Sequence, residues 1–199
     1  ERLYKLGYRP VTLSEFMEDR MQLQPGATPV VFTFDDSAVS QFKILADGSI
    51  DPNCAIGIWM KFAESHPDFP IKATWFLLPP YPFMQKSSWQ KKIKMLKDWG
   101  SEFGSHTLSH KLLSKMTDEQ VIREIGGSFE WLDSIGCNSR LLCLPYGGYP
   151  KNRALAKGVQ YKGKTYNVHA VMMAGSSPTP VPGEKGYNAH RLPRIQGID

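Results

Sequence analysis

Apolar and polar positions along the chain alternate between two patterns, one typical of strands and the other of helices. Apolar runs with the length of buried strands lie at residues 30–34, 71–78, 101–106, 140–144 and 168–175. Such runs, bounded by turn residues, predict strands rather than long helices. A sixth strand is predicted at "RLPRI", residues 191–195, close to the end of the chain.

Helix start signals lie between these runs. Residues 12–15 (T-x-x-E) and 117–120 (T-x-x-Q) are capping boxes, which satisfy backbone N–H groups at a helix start. Asp51-Pro52 and the serine pair at 87–88 are further N-cap candidates. From these starts the predicted helices end at about Met21, Ser134, Glu64 and Gly100, and a short helix is predicted within 151–158.

The alternating order of strands and helices indicates the fold class. A strand, a helix and a further strand in succession favour a parallel sheet with crossover helices. The closed form of such a chain is a (β/α) barrel, complete or incomplete, and the open form is a doubly wound sheet. Both forms place the functional site at the carboxyl ends of the strands.

Polar residues of unusual chemistry follow three of the predicted strands. Asp35 and Asp36 come directly after the first strand, and "SHTLSH" with His106 and His110 follows the third. "LPYGGY" follows the fourth. In a parallel barrel the carboxyl ends of these strands meet at one rim. Adjacent ionised carboxylates are costly to bury unless they are paired, hydrogen-bonded or bound to a metal.

The two histidines are spaced as metal ligands are. In a helical turn the four-residue spacing places His106 and His110 on one face, so that they can share one ion. The alternative is a pair of polar residues in a surface loop. Two histidines with one carboxylate form a standard open site for Zn²⁺ or another first-row divalent ion. One of the two aspartates can then bind the metal while the other acts as a base.

Composition and charge narrow the class of protein. The chain has 199 residues, of which 41% are hydrophobic and 22% charged, so we expect one globular domain over residues 1–199. The net charge is +5, and the densest basic cluster is Lys91, Lys92, Lys94 and Lys97. We predict that this cluster is a solvated helix face. A nucleic-acid partner is not expected, because no long basic stripe is interleaved with aromatic residues.

The cysteine pattern and the lengths of the apolar runs argue against a disulfide-rich scaffold and against a membrane-spanning protein. The three cysteines contain no C-x-x-C pair, and a disulfide scaffold is not expected in a chain of this length. No apolar run approaches the length of a membrane span, and no signal peptide is visible. The opening "ERLYKLGYRPVTL" is typical of the interior of a domain, so we expect a truncated N-terminus.

Taken together, the motifs resemble a known family. "TFDD" at 33–36, "SHTLSH" at 105–110 and "LPYG" at 144–147 resemble, in this order, the signature motifs of the polysaccharide deacetylases, carbohydrate esterase family 4. The opening "LYKLGYRPVTLSEF" is also similar to a segment that precedes the first motif in many members. The resemblance implies an α/β fold, a distorted or incomplete (β/α) barrel of mostly parallel strands. It also implies a divalent metal, with Zn²⁺ expected and Co²⁺, Ni²⁺ or Mn²⁺ as alternatives.

The resemblance assigns roles to individual residues. Asp36, His106 and His110 would bind the metal, and Asp35 would be the general base. The backbone N–H of Tyr146 would help to hold the oxyanion. These roles agree with the chemistry of amide hydrolysis, in which a base takes a proton from water and hydrogen-bond donors meet the developing charge.

The sequence departs from the family pattern at two places. The family commonly has arginine two residues before the proline of the Pro-Tyr pair, and Cys143 stands there, so Arg191 or Arg194 would have to substitute. The family's late Leu-x-His motif, the source of the general acid, is absent. His190 in "NAHRLPRI" is the candidate in its place, whereas His169 is expected to be structural.

The resemblance implies a function with two alternatives. We expect a metal-dependent hydrolase that removes N-acetyl groups from a glycan, an N-acetylglucosamine polysaccharide above all, outside the cytoplasm or in the cell envelope. One alternative is a metal amidohydrolase of a small non-sugar amide. The other is a non-catalytic carbohydrate-binding domain on the same fold. The sequence leaves the oligomeric state open.

Overall fold

The computed structural model describes residues 1–175 and 177–197. Within these residues the α-helices are α1 (Arg2–Lys5), α2 (Leu13–Met17), α3 (Ala55–Ser65), α4 (Trp89–Asp98) and α5 (Asp118–Ser134). The strands are β1 (Tyr8–Val11), β2 (Thr28–Val31), β3 (Thr33–Phe34), β4 (Thr74–Leu77), β5 (Glu102–Ser105), β6 (Leu141–Cys143), β7 (Gly158–Tyr161), β8 (Lys164–Asn167) and β9 (Ala170–Met172). Short 3₁₀ turns occur at Pro82–Met84, Leu113–Lys115, Pro145–Gly147 and Arg153–Ala156.

The strands form one larger sheet and two pairs. The five-stranded sheet has the order β3-β4-β5-β6-β9. The pairs β3–β4, β5–β6 and β6–β9 are parallel. Helices α3, α4 and α5 connect β3 to β4, β4 to β5 and β5 to β6 along the chain. The predicted α/β class with parallel strands and crossover helices is therefore confirmed.

The chain divides into two compact units. The first consists of residues 1–75 and 80–102, and the second of residues 76–79 and 103–199. The division passes through strands β4 and β5, so it does not follow a linker between elements. A single catalytic domain over residues 1–199 stays a prediction.

The predicted strand at 30–34 is two strands in the first unit. β2 pairs with β1, with Val31 opposite Val11, whereas β3 pairs with β4, with Thr33 opposite Thr74. Phe32 separates them, and its carbonyl oxygen accepts a hydrogen bond of 2.9 Å from the Thr74 N–H. The sequence did not predict β1. One apolar run therefore forms strands in two sheets, because the residues before Phe32 pair with β1 and those after it pair with β4.

Helix α3 begins later than its sequence predicted. The N-cap is Cys54, whose sulfur accepts a hydrogen bond of 3.4 Å from the Gly57 N–H. The predicted N-cap Asp51 instead accepts from the Asn53 N–H at 2.9 Å and from Lys43 Nζ at 2.8 Å. Because its carboxylate is engaged in this turn and ion pair, Asp51 does not cap the helix.

Helix α4 corrects a prediction about the basic cluster. Lys91, Lys94 and Lys97 are exposed, as expected of a solvated face. Lys92 is fully buried, and it shares the inner face of the helix with Ile93 and Leu96. The prediction that Lys92 is solvated was therefore wrong.

Helix α5 is the main helix of the second unit and confirms its predicted bounds. It starts at the Thr117 capping box and ends at Ser134, shortly before Gly136 at φ 68°. Its buried side chains recur at helical spacing, and they include Val121, Ile125, Phe129 and Leu132. The hairpin of β7 and β8, which the sequence did not predict, packs against this helix at Gly126. A Cβ added at Gly126 would lie 2.3 Å from the Tyr161 Cβ.

The predicted sixth strand does not form among the described residues. Residues 191–195 make a single parallel bridge to β9, between Leu192 and Met172. Leu192 pairs on both sides, through its N–H to Val171 and its carbonyl oxygen to the Met173 N–H. The next main-chain bond of a parallel ladder would run from the Arg194 N–H to the Met173 carbonyl oxygen, but this oxygen accepts from the Arg194 side chain, through Nε, at 2.8 Å. No helix among the described residues has the length and apolar character to span a membrane.

Candidate active site

The acidic pair of the first unit lies in a tight turn directly after β3. The Asp35 carbonyl oxygen accepts hydrogen bonds from the Ser37 N–H at 2.8 Å and from Gln41 Nε2 at 2.6 Å. The first of these bonds closes a three-residue turn around Asp36, whose φ is 67°. Asp36 is exposed and Asp35 is half-buried. Such positive φ values outside glycine are uncommon and concentrate at functional sites.

His106 follows β5 in the second unit and has a defined tautomer. Its side chain is buried, and its Nδ1 lies 3.0 Å from the carbonyl oxygen of Cys143. A carbonyl oxygen can only accept, so Nδ1 carries the proton and Nε2 of the neutral ring has the lone pair. Metal-binding histidines are commonly oriented in this way, by a backbone carbonyl on the second ring nitrogen.

His110 lies beside His106, although not for the predicted reason. The two ring centroids are 4.7 Å apart. The segment between them is a loop with left-handed residues, Thr107 at φ 69° and His110 itself at φ 53°. The His110 N–H donates to Thr107 Oγ1 at 3.2 Å, which closes this loop. The prediction of a helical turn was wrong, but the loop brings both imidazoles together.

Glu124 of α5 holds this loop, and the sequence reasoning missed it. Its carboxylate accepts from the N–H groups of Leu108 and Ser109 at 3.0 and 2.8 Å, and from the Ser109 hydroxyl at 2.5 Å. Glu124 is 6% exposed. A carboxylate beside the apolar positions Val121 and Ile125 was the available signal, because a buried carboxylate requires such partners.

Tyr146 lies on the turn that follows β6, in the same unit as the histidines. Its φ is 58°, and its ring centroid is 4.9 Å from that of His110. The side chain is 70% exposed. The structure therefore brings His106, His110 and Tyr146 together at the carboxyl ends of the parallel strands β5 and β6.

The side chain of Arg194 reaches Cys143, the residue that stands where the family commonly has an arginine. Its Nη2 lies 3.2 Å from the Cys143 sulfur, and its Nε donates to the Met173 carbonyl oxygen at 2.8 Å. Cys143 is fully buried, whereas Arg191 is exposed. Of the two arginines considered as substitutes, Arg194 is therefore the one whose guanidinium reaches this position.

The sequence model described as polysaccharide deacetylase matches residues 23–164, well over half of the chain. This chain belongs to the polysaccharide deacetylase family. No match to the sequence was found among curated proteins.

Three solved structures are similar to this chain. The Streptococcus pyogenes deacetylase PplD, in complex with acetate, is 20% identical and has a TM-score of 0.69, over 98% of this chain and 76% of its own. The Bacillus subtilis peptidoglycan deacetylase PdaC is 22% identical, with a TM-score of 0.43 over 67% of this chain and 56% of its own. The Xyl-CE4 domain of a multidomain xylanase from the hindgut metagenome of Trinervitermes trinervoides is 16% identical and has a TM-score of 0.46. The match covers 72% of this chain and 56% of its own. The likeness to PplD confirms the distorted (β/α) barrel class.

The placement of His190 in this family member bears on its predicted role as general acid. Its Nε2 donates to the Val168 carbonyl oxygen at 2.9 Å, and its own carbonyl oxygen accepts from the Tyr149 hydroxyl. Val168 precedes β9, whereas Arg194 reaches Met173 beyond the other end of this strand. Val168 and Met173 are five residues apart in mostly extended chain, which corresponds to a distance of roughly 15 Å. His190 thus lies toward the amino end of β9, and its general-acid role stays a prediction.

Proposed function

We propose that this protein is a metal-dependent deacetylase that removes N-acetyl groups from a glycan, with an N-acetylglucosamine polysaccharide as its substrate class. The observation that carries the proposal is the histidine pair of a family member. His106 has its Nδ1 proton committed to the Cys143 carbonyl oxygen, and His110 lies beside it with 4.7 Å between ring centroids. This arrangement supports two imidazole ligands for one cation.

The donor set fits a first-row divalent ion. We infer that Asp36, His106 and His110 hold it, because two imidazoles and one carboxylate suit zinc and leave positions for water and substrate. Zn²⁺ is the ion expected first, with Co²⁺, Ni²⁺ and Mn²⁺ as alternatives. An ion of this kind, when bound, supplies Lewis-acid polarisation of the acyl oxygen and of water.

The chain's own residues perform the proton transfers and the charge stabilisation. Asp35 takes the proton of the attacking water as general base, a role that asks for a carboxylate in hydrogen-bond reach of that water. The backbone N–H of Tyr146 donates to the acyl oxygen as negative charge develops there. The left-handed turn at Tyr146 (φ 58°), directly after Pro145, supports a specialised backbone position.

A glycan substrate is supported by the family and by the exposed ring beside the histidines. Tyr146 presents 70% of its surface, and aromatic faces provide flat apolar area for sugar rings. A polysaccharide of this kind is met outside the cytoplasm or in the cell envelope, which is the location we propose.

A second candidate is a non-catalytic carbohydrate-binding domain on the same fold. Cys143 favours it, because a buried thiol stands where the family commonly has an arginine. The guanidinium of Arg194, 3.2 Å from the Cys143 sulfur, argues for the catalytic candidate, since it returns a positive charge to this position.

Acetate release decides between these candidates. The protein, loaded with Zn²⁺, is assayed on chitin oligosaccharides, peptidoglycan, acetylated xylan and small acetamides, with His106→Ala/His110→Ala as the matched inactive control. Release from an N-acetylglucosamine polymer that the control does not catalyse supports the proposal. Glycan binding without release establishes the binding domain, and release only from small acetamides establishes the amidohydrolase.

A further inference from the structure

Lys92 of α4 is a buried lysine with an unusual set of partners. Its side chain has no exposed surface, although lysine is almost never fully buried. Its Nζ donates to the carbonyl oxygens of Phe42 and Phe83 at 2.6 and 3.4 Å, and to Gln85 Oε1 at 2.5 Å. The rings of Phe42 and Phe83 flank the ammonium, with centroids at 5.6 and 5.5 Å.

These bonds connect two loops of the first unit. The acidic loop, residues 35–44, follows β3 and contains both aspartates, and the 80–88 loop precedes α4. Gln85 reinforces the connection, because its Oε1 accepts from the Ile44 N–H at 2.9 Å and its Nε2 donates to the Ile44 carbonyl oxygen at 2.8 Å. Lys92 and Gln85 therefore fasten the end of the acidic loop to the 80–88 loop.

Both connected loops contain strained backbone. Asp36 and Ser37 have φ values of 67° and 50°, and Phe83 and Met84 have values of 61° and 52°. Left-handed conformations outside glycine are energetically unfavourable and persist only where the surroundings hold them. Charge-assisted hydrogen bonds from a buried ammonium are the strong kind that can do so.

A short path joins the lysine to the predicted base. Lys92 holds the Phe42 carbonyl oxygen, and the preceding residue, Gln41, donates through its side chain to the Asp35 carbonyl oxygen at 2.6 Å. Both ends of the acidic loop are thus fixed by side-chain donors. Burial lowers the pKa of Lys92 to about 8, so the charged form has an energetic cost here that an apolar side chain would avoid.

We propose that Lys92 is a positioning residue, which fixes the acidic loop so that Asp35 and Asp36 keep the geometry needed for water activation and metal binding. The proposal rests on the function proposed above, and it assigns Lys92 no contact with substrate or metal.

Hydrogen exchange of the metal-free protein tests the anchoring directly. Lys92→Met removes the donors and keeps an apolar chain of similar length, and Lys91→Met on the exposed side of the same helix is the matched control. We expect faster exchange in the acidic and 80–88 loops of Lys92→Met, with unchanged exchange in α5. Lys91→Met should exchange as the wild type does. This readout does not depend on any catalytic activity.

Zinc affinity and kinetics test the positioning. We expect Lys92→Met to bind Zn²⁺ roughly 10–100-fold more weakly in chelator competition, as for other residues that orient metal ligands. At saturating Zn²⁺, kcat should fall while KM changes little, because substrate contacts are untouched. Lys91→Met should keep the wild-type affinity, kcat and KM.

The outcomes separate failure of this proposal from failure of the proposed function. Unchanged exchange in the acidic loop overturns the anchor, and faster exchange with wild-type Zn²⁺ affinity and kcat overturns the positioning role. If Lys92→Met does not melt cooperatively, Gln85→Leu replaces it, since it removes an acceptor of the Lys92 Nζ together with both hydrogen bonds to Ile44. The same outcomes of exchange, Zn²⁺ affinity and kcat then apply. If the wild type deacetylates nothing, the proposed function fails, while exchange and zinc affinity still decide the role of Lys92.

Discussion

The Nδ1–H of His106 donates to the carbonyl oxygen of Cys143 across 3.0 Å. The acceptor is a main-chain atom, so this bond exists whichever side chain residue 143 has. The departure from the family pattern at Cys143 therefore leaves the orientation of His106 unaffected. The side chain of Cys143 has a different partner, because Arg194 Nη2 lies 3.2 Å from its sulfur. A guanidinium therefore lies beside the residue that replaces the arginine common in the family.

Removal of the proposed metal ligands should remove the metal. We expect Asp36→Ala to weaken Zn²⁺ binding, and His106→Ala/His110→Ala to abolish it, because two of the three donors are then lost. Elemental analysis after dialysis measures the bound metal per chain, with His66→Ala as the histidine control. Full occupancy in the double variant would show that the metal lies at another site.

Asp35→Asn should keep the metal and lose most of the activity. The exchange preserves the size of the side chain and removes the base, whose contribution is typically about 10²–10⁴-fold in rate. The measurement is kcat on the best substrate together with metal content. A turnover near that of the wild type in a metal-loaded sample would reject Asp35 as the base.

Glu124→Gln should loosen the histidine loop. The amide oxygen can still accept from both N–H groups, but these hydrogen bonds lose the charge of the carboxylate, and the Ser109 hydroxyl must turn from donor to acceptor. We expect a loss of about 1–2 kcal/mol in the free energy of unfolding, because hydrogen bonds to a charged group contribute more than those to a neutral one. Urea denaturation measures this loss, with Glu119→Gln on the exposed start of α5 as control. Equal midpoints for the two variants would contradict a supporting role for Glu124.

The fold was predictable wherever local sequence and tertiary contacts agree. The T-x-x-Q capping box predicted the start of α5, and the structure confirms it because both capping hydrogen bonds form. Phe32 is the opposite case, because nothing local indicates that residues on its two sides pair with different strands. The hairpin of β7 and β8 was missed for a similar reason, since its apolar contacts come from α5.

The site was predictable in its residue types and less so in its geometry. "SHTLSH" indicated a histidine pair, but the loop that joins the rings depends on Glu124, which lies far along the chain. Lys92 was misread because lysine in a basic cluster is usually solvated, and only the carbonyl oxygens of two loops make its burial possible. A single sequence can indicate that such a polar side chain is buried, as the position of Glu124 beside Val121 and Ile125 does, but it does not identify the distant partners.

The buried ammonium of Lys92 should make its contribution to stability rise as the pH is raised. Burial lowers its pKa from 10.5 to about 8 in the folded state, and the nearby buried thiol of Cys54 acts in the opposite, smaller direction. Between about pH 8 and 10.5 the unfolded chain binds more protons at this group, so its contribution to stability rises with pH. Below about pH 8 the cost of the buried charge is fully present.

Lys92→Met lacks this titration. We therefore expect the difference in Tm, variant minus wild type, to fall as the pH is raised from 7 to 10, because only the wild type gains stability at this group. Calorimetry of both proteins at several pH values gives the difference, in which other titrating groups cancel. A pH-independent difference would mean that Lys92 has an ordinary pKa in the folded state.

His190 has two incompatible interpretations, and one pair of variants separates them. As the general acid suggested by the sequence, His190 would protonate the leaving amine, so both His190→Ala and His190→Gln should lower kcat and flatten the alkaline limb of the pH–rate profile. As a structural residue, its Nε2–H pairs the Val168 carbonyl oxygen, and a glutamine amide can donate that bond while alanine cannot.

The position of His190 toward the amino end of β9 favours the structural role, so we expect the two variants to differ. His190→Ala should lower the free energy of unfolding by about 1 kcal/mol through the unpaired carbonyl. His190→Gln should recover most of that stability and keep the wild-type kcat and pH profile. In that case the proton for the leaving amine comes from elsewhere, and Asp35, protonated after water attack, is a source within the proposed site. A glutamine variant that is stable, metal-loaded and slow, with a flattened alkaline limb, would instead establish His190 as the acid.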